Sequence, residues 1–353
     1  FLDAHMEEER VSKTHVIGHV YPLKPESKLD LNIETEHTNI QFLQYFMRSI
    51  VEDLHGRTSG KAHFYGKFKA LNIEGNLMTD ASLKIGILNT SFTVTDTIRL
   101  STSGISFDNI RIADMEGHQG TMNGKLNFRH FRDLSYHFEF NVNNMLLMNT
   151  KENPDINFYG KVYGTGNAML IGNPQELQVN AAVTTNRNTN FVYITNATAS
   201  AASNQFIKFV DKTPRRFVQD SINVMSEYDR LQQEMEEEES KTDIRLNLLI
   251  DATPDATMKI VMDPVAGDYI SGRGSGNIRV EFYNKGDVKM FGNYHIQQGI
   301  YKFSLQEVIR KDFIIKDGST ITFNGPPLNA TLDIQASYTV PVSYTHLTLP
   351  TIR

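Results

Sequence analysis

Apolar side chains recur at every second position over much of this chain. Leu29, Leu31 and Ile33 alternate with Asp30, Asn32 and Glu34, and Ile244, Leu246, Leu248 and Ile250 alternate with Arg245, Asn247 and Leu249. Met258, Ile260 and Met262 repeat the pattern, followed by Ile278, Val280 and Phe282, then by Leu332, Ile334, Ala336 and Tyr338. A period of two belongs to strands, whose successive side chains point to opposite faces, so each run predicts a strand with one apolar face. Gly-, Asn- and Asp-rich stretches separate the runs: Gly56 to Gly60, Gly117 to Gly124, Gly164 to Gly166, Gly272 to Gly276 and Asp317-Gly318. They read as turns. A loose recurrence of glycine, short strand, glycine suggests repeated hairpins without a fixed period.

Two segments depart from this period. Leu43, Phe46, Met47, Ile50, Val51 and Leu54 have helical spacing, with Gly56 as a stop, and predict a short helix near 40–55. From Pro214 to Glu239, Phe217, Val224, Tyr228, Leu231 and Met235 fall three, four or seven apart ahead of an acidic run, which predicts an amphipathic helical insertion.

Composition narrows the functional classes. A net charge of -6 argues against a nucleic-acid surface, which needs a basic patch. The absence of Cys excludes disulfides, thiolate metal sites and a cysteine nucleophile. No apolar run approaches the roughly 18 residues of a membrane-spanning helix. Both ends look cut: the chain opens at Phe1, and Val342 to Thr351 matches one reading frame of a sequencing-library adapter, so 342–353 is expected to be a non-native tail.

Chemistry is not legible. The histidines are scattered without zincin spacing, and His295 falls on a presumed strand as a solvent-facing position. Gly272 to Asn277 has the glycines of a phosphate loop, but a strand follows where a helix is required, so a hairpin turn is expected there. Asp251, Asp255 and Asp263 lack EF-hand spacing and read as punctuation at strand ends. The expectation is no catalytic residue, metal or cofactor. A long sheet with one apolar face must cover it with a second sheet, with helices or with a non-protein ligand. Either a sandwich or barrel, or a trough, satisfies that demand.

The stretch from Asp251 to Tyr338 resembles the C-terminal domain of the TamB family. The resemblance rests on Gly292-x-Tyr294, Gly299-Ile300-Tyr301-x-Phe303, Phe313-x-Ile315-x-x-Gly318, and Ile321-x-Phe323-x-Gly325 with Pro327 and Leu332-x-Ile334-x-Ala336. Upstream segments resemble the β-rich body of TamB and AsmA-like proteins more loosely, and the acidic insertion is similar to versions from Bacteroidota. The resemblance implies a mainly β fold: an elongated, curled antiparallel sheet forming a groove or half-pipe, with one or two helical insertions. It implies a groove region over 1–200, the insertion over 201–240 and the TamB C-terminal β-domain over 241–341.

The family's implied role is non-enzymatic. It spans the periplasm, is anchored to the inner membrane by an N-terminal segment, and meets an outer-membrane Omp85-type barrel, TamA or BamA-like. Its cargo would be phospholipid acyl chains moving between the membranes, or nascent outer-membrane proteins under assembly. Lipid-groove candidates are Leu246, Leu248, Ile250, Met258, Ile260, Met262, Ile278, Val280, Phe282, Ile334 and Ala336. Gly292, Tyr294, Gly299, Tyr301, Phe303, Gly318, Phe323, Gly325 and Pro327 are read as turn and packing positions. At about 0.8 kcal/mol per buried CH₂, a chain of about fifteen methylenes gains on the order of 12 kcal/mol in such a groove, with no catalysis required. A transmembrane barrel fits less well, because its strands carry aromatic girdles and this chain has no Trp.

Overall fold

The computed structural model describes the chain apart from residues 9–10, 23–26, 42–43, 45–50, 131, 154–155, 196–242, 306–308 and 340–353. Among the described residues, twenty strands join in one curled sheet. The first eleven form a meander in which each strand pairs antiparallel with the next. They are β1 (Leu2–Glu8), β2 (Ser12–Tyr21), β3 (Lys28–Asn39), β4 (Val51–Lys67), β5 (Ala70–Ile85), β6 (Thr90–Ser101), β7 (Gly104–Asp114), β8 (Gln119–Arg129), β9 (Arg132–Thr150), β10 (Phe158–Asn173) and β11 (Glu176–Thr185).

Beyond β11 the strands come as broken pairs. β12 (Asn190–Ile194) continues β11 along the other half of β10. β13 (Asp243–Ala252) and β14 (Thr257–Asp263) then run parallel to β11 and β12. A parallel pair needs a crossover of at least a dozen residues, and residues 195–242 separate β12 from β13. Both β13 and β14 pair antiparallel with β15 (Asp268–Tyr283), which pairs with β16 (Lys289–Leu305). β16 carries β17 (Ile309–Ile315) and β18 (Ser319–Gly325), and the edge is made by β19 (Thr331–Asp333) on β18 and β20 (Ala336–Ser337) on β17.

The mainly β, curled architecture is as expected, but several local expectations fail. Of the glycine stretches read as turns, Gly56 to Gly60 lies inside β4, Gly120 to Gly124 inside β8 and Gly164 to Gly166 inside β10. Val51 to Leu54, the end of the anticipated helix, is strand and opens β4; ahead of it Gln41 and Gln44 have 3₁₀ geometry, and residues 42–43 and 45–50 lie outside the described ones. A register shift between Val51 and Asp53 turns both Val51 and Leu54 inward, so a spacing of three arises in a bulged strand and imitates a helical one. Gly272 to Asn277 is likewise no turn but the middle of β15. Its glycines answer close approach between strands: a Cβ on Gly274 would lie 2.0 Å from the carbonyl oxygen of His295 on β16. The anticipated insertion at 201–240 and the tail at 342–353 lie outside the described residues.

Hydrogen bonds between non-adjacent strands fix the curl. At one end, Asn149 N–H at the close of β9 donates to Leu88 O in the β5–β6 turn (2.9 Å), and Asn89 Nδ2 donates back to Asn149 O (2.7 Å). At the other, His130 Nδ1 in the β8–β9 turn donates to Leu71 O at the start of β5 (3.3 Å). Val94, Ile110, Ile112, Met122 and Met145 form a buried cluster, flanked by Leu83, Phe138 and Phe140, so the sheet is concave toward its apolar face. A second cluster, around Ile270, Ile278, Tyr294, Ile296, Ile315, Ile321 and Phe323, fills the C-terminal end.

Candidate functional site: a continuous apolar face

Cross-strand partners share a face, so register decides whether the apolar faces of successive strands join. They do. One row of paired positions runs Ala4, Val16, Ile33, Ala62, Gly75, Leu100, Ile105, Leu126, Tyr136, Gly172, Leu177 and Ile244, from β1 to β13. No charged or amide side chain interrupts it. A second row runs Ile110, Met122, Phe140, Ala168, Ala181, Leu248, Val280 and Met290, from β7 to β16. In the first row Leu100 and Leu177 are buried and the others half-buried. Burial of that degree belongs to side chains packed sideways on neighbours within one layer.

The opposite face is wet and ion-paired. Lys61 Nζ lies 2.6 Å from Glu34 Oε1, and His63 Nε2 lies 2.7 Å from Asp30 Oδ1, both across the β3–β4 pair. The hydrogen bond from Lys61 holds the Glu34 carboxyl below its ordinary range. On β1 and β2, Asp3 Oδ1 sits 2.9 Å from His15 Nε2 and 3.5 Å from His5 Nδ1. The two rings stack at 4.0 Å and 17°, so their lone pairs lie in near-parallel planes and do not converge on a common ion.

The sequence-derived lining candidates share the concave face but divide in environment. Leu246 opposes Phe282, Leu248 opposes Val280 and Ile250 opposes Ile278; Ile260 opposes Ile270 and Met258 opposes Gly272. Leu246, Leu248, Ile250 and Phe282 are half-buried on the face. Ile278 belongs to the C-terminal cluster, and Met258, Ile260, Met262, Val280 and Ile334 pack against it. Ala336 is exposed on the edge strand β20.

The motif positions build that C-terminal end. Tyr294 and Phe323 are cluster residues, and burial pushes the Tyr294 hydroxyl up to about 12. Tyr301 stacks on Phe313 and meets Phe303 edge-on. Gly292, at φ 122°, faces β15 where a Cβ would lie 2.1 Å from Asn277 O. Gly299 lies within β16, Gly318 in the β17–β18 turn, Gly325 at the end of β18, and Pro327 begins a single 3₁₀ turn. His295 is solvent-exposed, as its alternation indicates, and Asp263 ends β14, where its Oδ1 accepts from the N–H groups of Val265 and Ala266.

Three features escape sequence reasoning. A cavity of about 480 Å³ opens at one end of the face, lined by Ile33, Phe64, Phe68, Lys69, Leu71, Ile73, His130 and Arg132. It joins two hairpin tips distant in sequence; the only local sign is an aromatic-lysine pair, Phe68-Lys69, in a two-residue turn. On the polar face, Arg187, Asp255 and Arg273 line a second cleft, where Arg273 Nε donates to Thr257 Oγ1. The third feature is Asp114 on β7, whose side chain is 1% exposed. Its Oδ1 accepts from the N–H groups of Glu116 and His118, and its Oδ2 from Leu146 N–H and His118 Nδ1. Burial alone would raise this carboxyl, but the hydrogen bonds outweigh it and hold the group below its ordinary range.

Compared with protein-family models, residues 108–348, about two-thirds of the chain, match the TamB C-terminal domain. The chain belongs to the TamB family. No curated protein and no solved structure matches it. TamB membership makes this an envelope protein of outer-membrane biogenesis. The TamB match begins within β7 and crosses the parallel junction, so it includes strands on both sides of the crossover. Among the described residues no helix is long and apolar enough to cross a membrane.

Proposed function

We propose that this chain is a non-enzymatic, periplasm-spanning section of an envelope protein that conducts phospholipids between the inner and outer membranes. The reading rests on the unbroken apolar row from Ala4 to Ile244, which crosses strand after strand on the concave face. Acyl chains lying along that row leave water, while the head group stays solvated at the open side. Similar burial at each strand lets a lipid pass from one position to the next without a deep trap. Leu246, Leu248, Ile250 and Phe282 belong to this path, whereas the side chains packed on the C-terminal cluster serve as its closed end. In the full-length protein an N-terminal anchor would hold the inner membrane, and an Omp85-type barrel, TamA or BamA-like, would receive the C-terminal end.

A second reading, assembly of outer-membrane β-barrel proteins and autotransporters, draws on the C-terminal edge. Among the described residues β20 covers only Ile314 and Ile315 of β17, and β19 only Thr320 to Thr322 of β18. The remaining backbone groups of those strands could template an incoming strand.

Lipid mass spectrometry of the chain purified from a diderm periplasm without detergent tests the first reading. Stoichiometric phospholipid is expected in the parent and its loss in a Leu126→Asp, Leu246→Asp, Leu248→Asp variant whose circular dichroism remains that of a folded sheet. A folded parent without lipid transfers the lead to the assembly reading.

A further inference from the structure

The cavity between the β4–β5 and β8–β9 tips is where the apolar face meets two cationic side chains. Its floor is Ile33, Phe64, Leu71 and Ile73, and Lys69 and Arg132 stand beside it with His130. No carboxylate lines it, in a chain with 41 acidic against 35 basic side chains. Among the described residues neither Lys69 nor Arg132 has an ion-pair partner, so both charges are open to a ligand. The His130 hydrogen bond to Leu71 O ties the two tips together, so the site is held by the fold.

Two unpaired cations beside a hydrocarbon floor complement a ligand that is anionic at one end and aliphatic at the other. We infer that this cavity seats an anionic phospholipid, its phosphate against Lys69 and Arg132 and its acyl chains on Ile33, Phe64, Leu71 and Ile73. A zwitterionic head group would bring its own ammonium against these cations, so the site selects lipids of net negative charge. This inference rests on the lipid-path reading and adds a selective position to a path that is otherwise indifferent to head groups.

The test offers the chain mixed vesicles of phosphatidylcholine and phosphatidylglycerol and measures the ratio of the two lipids carried away by the protein. The parent is expected to enrich phosphatidylglycerol on the order of tenfold at low salt, less as salt rises. A Lys69→Gln, Arg132→Gln variant is expected to keep its total lipid and lose the enrichment. An Arg187→Gln, Arg273→Gln variant, altered in the cleft on the polar face, is expected to keep both. Lipid bound without preference in the parent, or a preference that survives in the first variant or vanishes in the second, overturns the head-group site and leaves the lipid path standing. A parent that takes up neither lipid overturns the path as well.

Discussion

Asp114 shows how a charge is retained on an otherwise apolar face. Its carboxylate receives hydrogen bonds from three backbone N–H groups and a histidine, drawing the β7–β8 turn onto β9 at Leu146. Replacing it with Asn sets an amide N–H against donors in a buried site, with an expected loss of about 3 kcal/mol in urea unfolding. The same residue predicts an acid limb. Its folded-state pKa is depressed, so its contribution is fully present above the ordinary carboxylate value and is lost as pH falls through and below that value. Wild type should therefore lose stability across this acid range, and the difference between wild type and Asp114→Asn should shrink over the same interval.

At the level of the strand, glycine carries two meanings that a sequence does not separate. Glycine at Gly318 marks a turn, as read, while at Gly274 and Gly292 it allows two strand backbones to meet without a Cβ between them. Gly292→Ala is expected to destabilise by about 2–4 kcal/mol, measured by thermal or urea unfolding, because the added carbon meets Asn277 O and the backbone sits at φ 122°. Strand identity and the apolar face were legible because period two survives in almost every segment. Bulges were not, since one inserted residue converts a two-spacing into a three-spacing, as at Val51 and Leu54. The cavity was not legible either, because Lys69 and Arg132 converge only once the sheet has curled, and that curl is set by turn-to-strand hydrogen bonds far apart in sequence.

Over the whole molecule, stability is distributed along one sheet, each strand answering mainly to its neighbours. The buried clusters are local: one across β6 to β9, another across β15 to β18. The parallel junction has a consequence of its own. Before it, β1 to β11 form a meander; after it, the broken strands pair around β15 and β16; between them lie the ladder from Glu176–Thr184 to Asp243–Asp251 and its shorter counterpart from Asn190–Ile194 to Thr257–Val261. A protease cut within residues 196–242 severs the polypeptide yet breaks none of those pairings. The two halves form a natural split protein: nicked there, the chain is expected to elute as a single species on size exclusion, and the halves produced as separate polypeptides are expected to find each other through the exposed edges of β11 and β13.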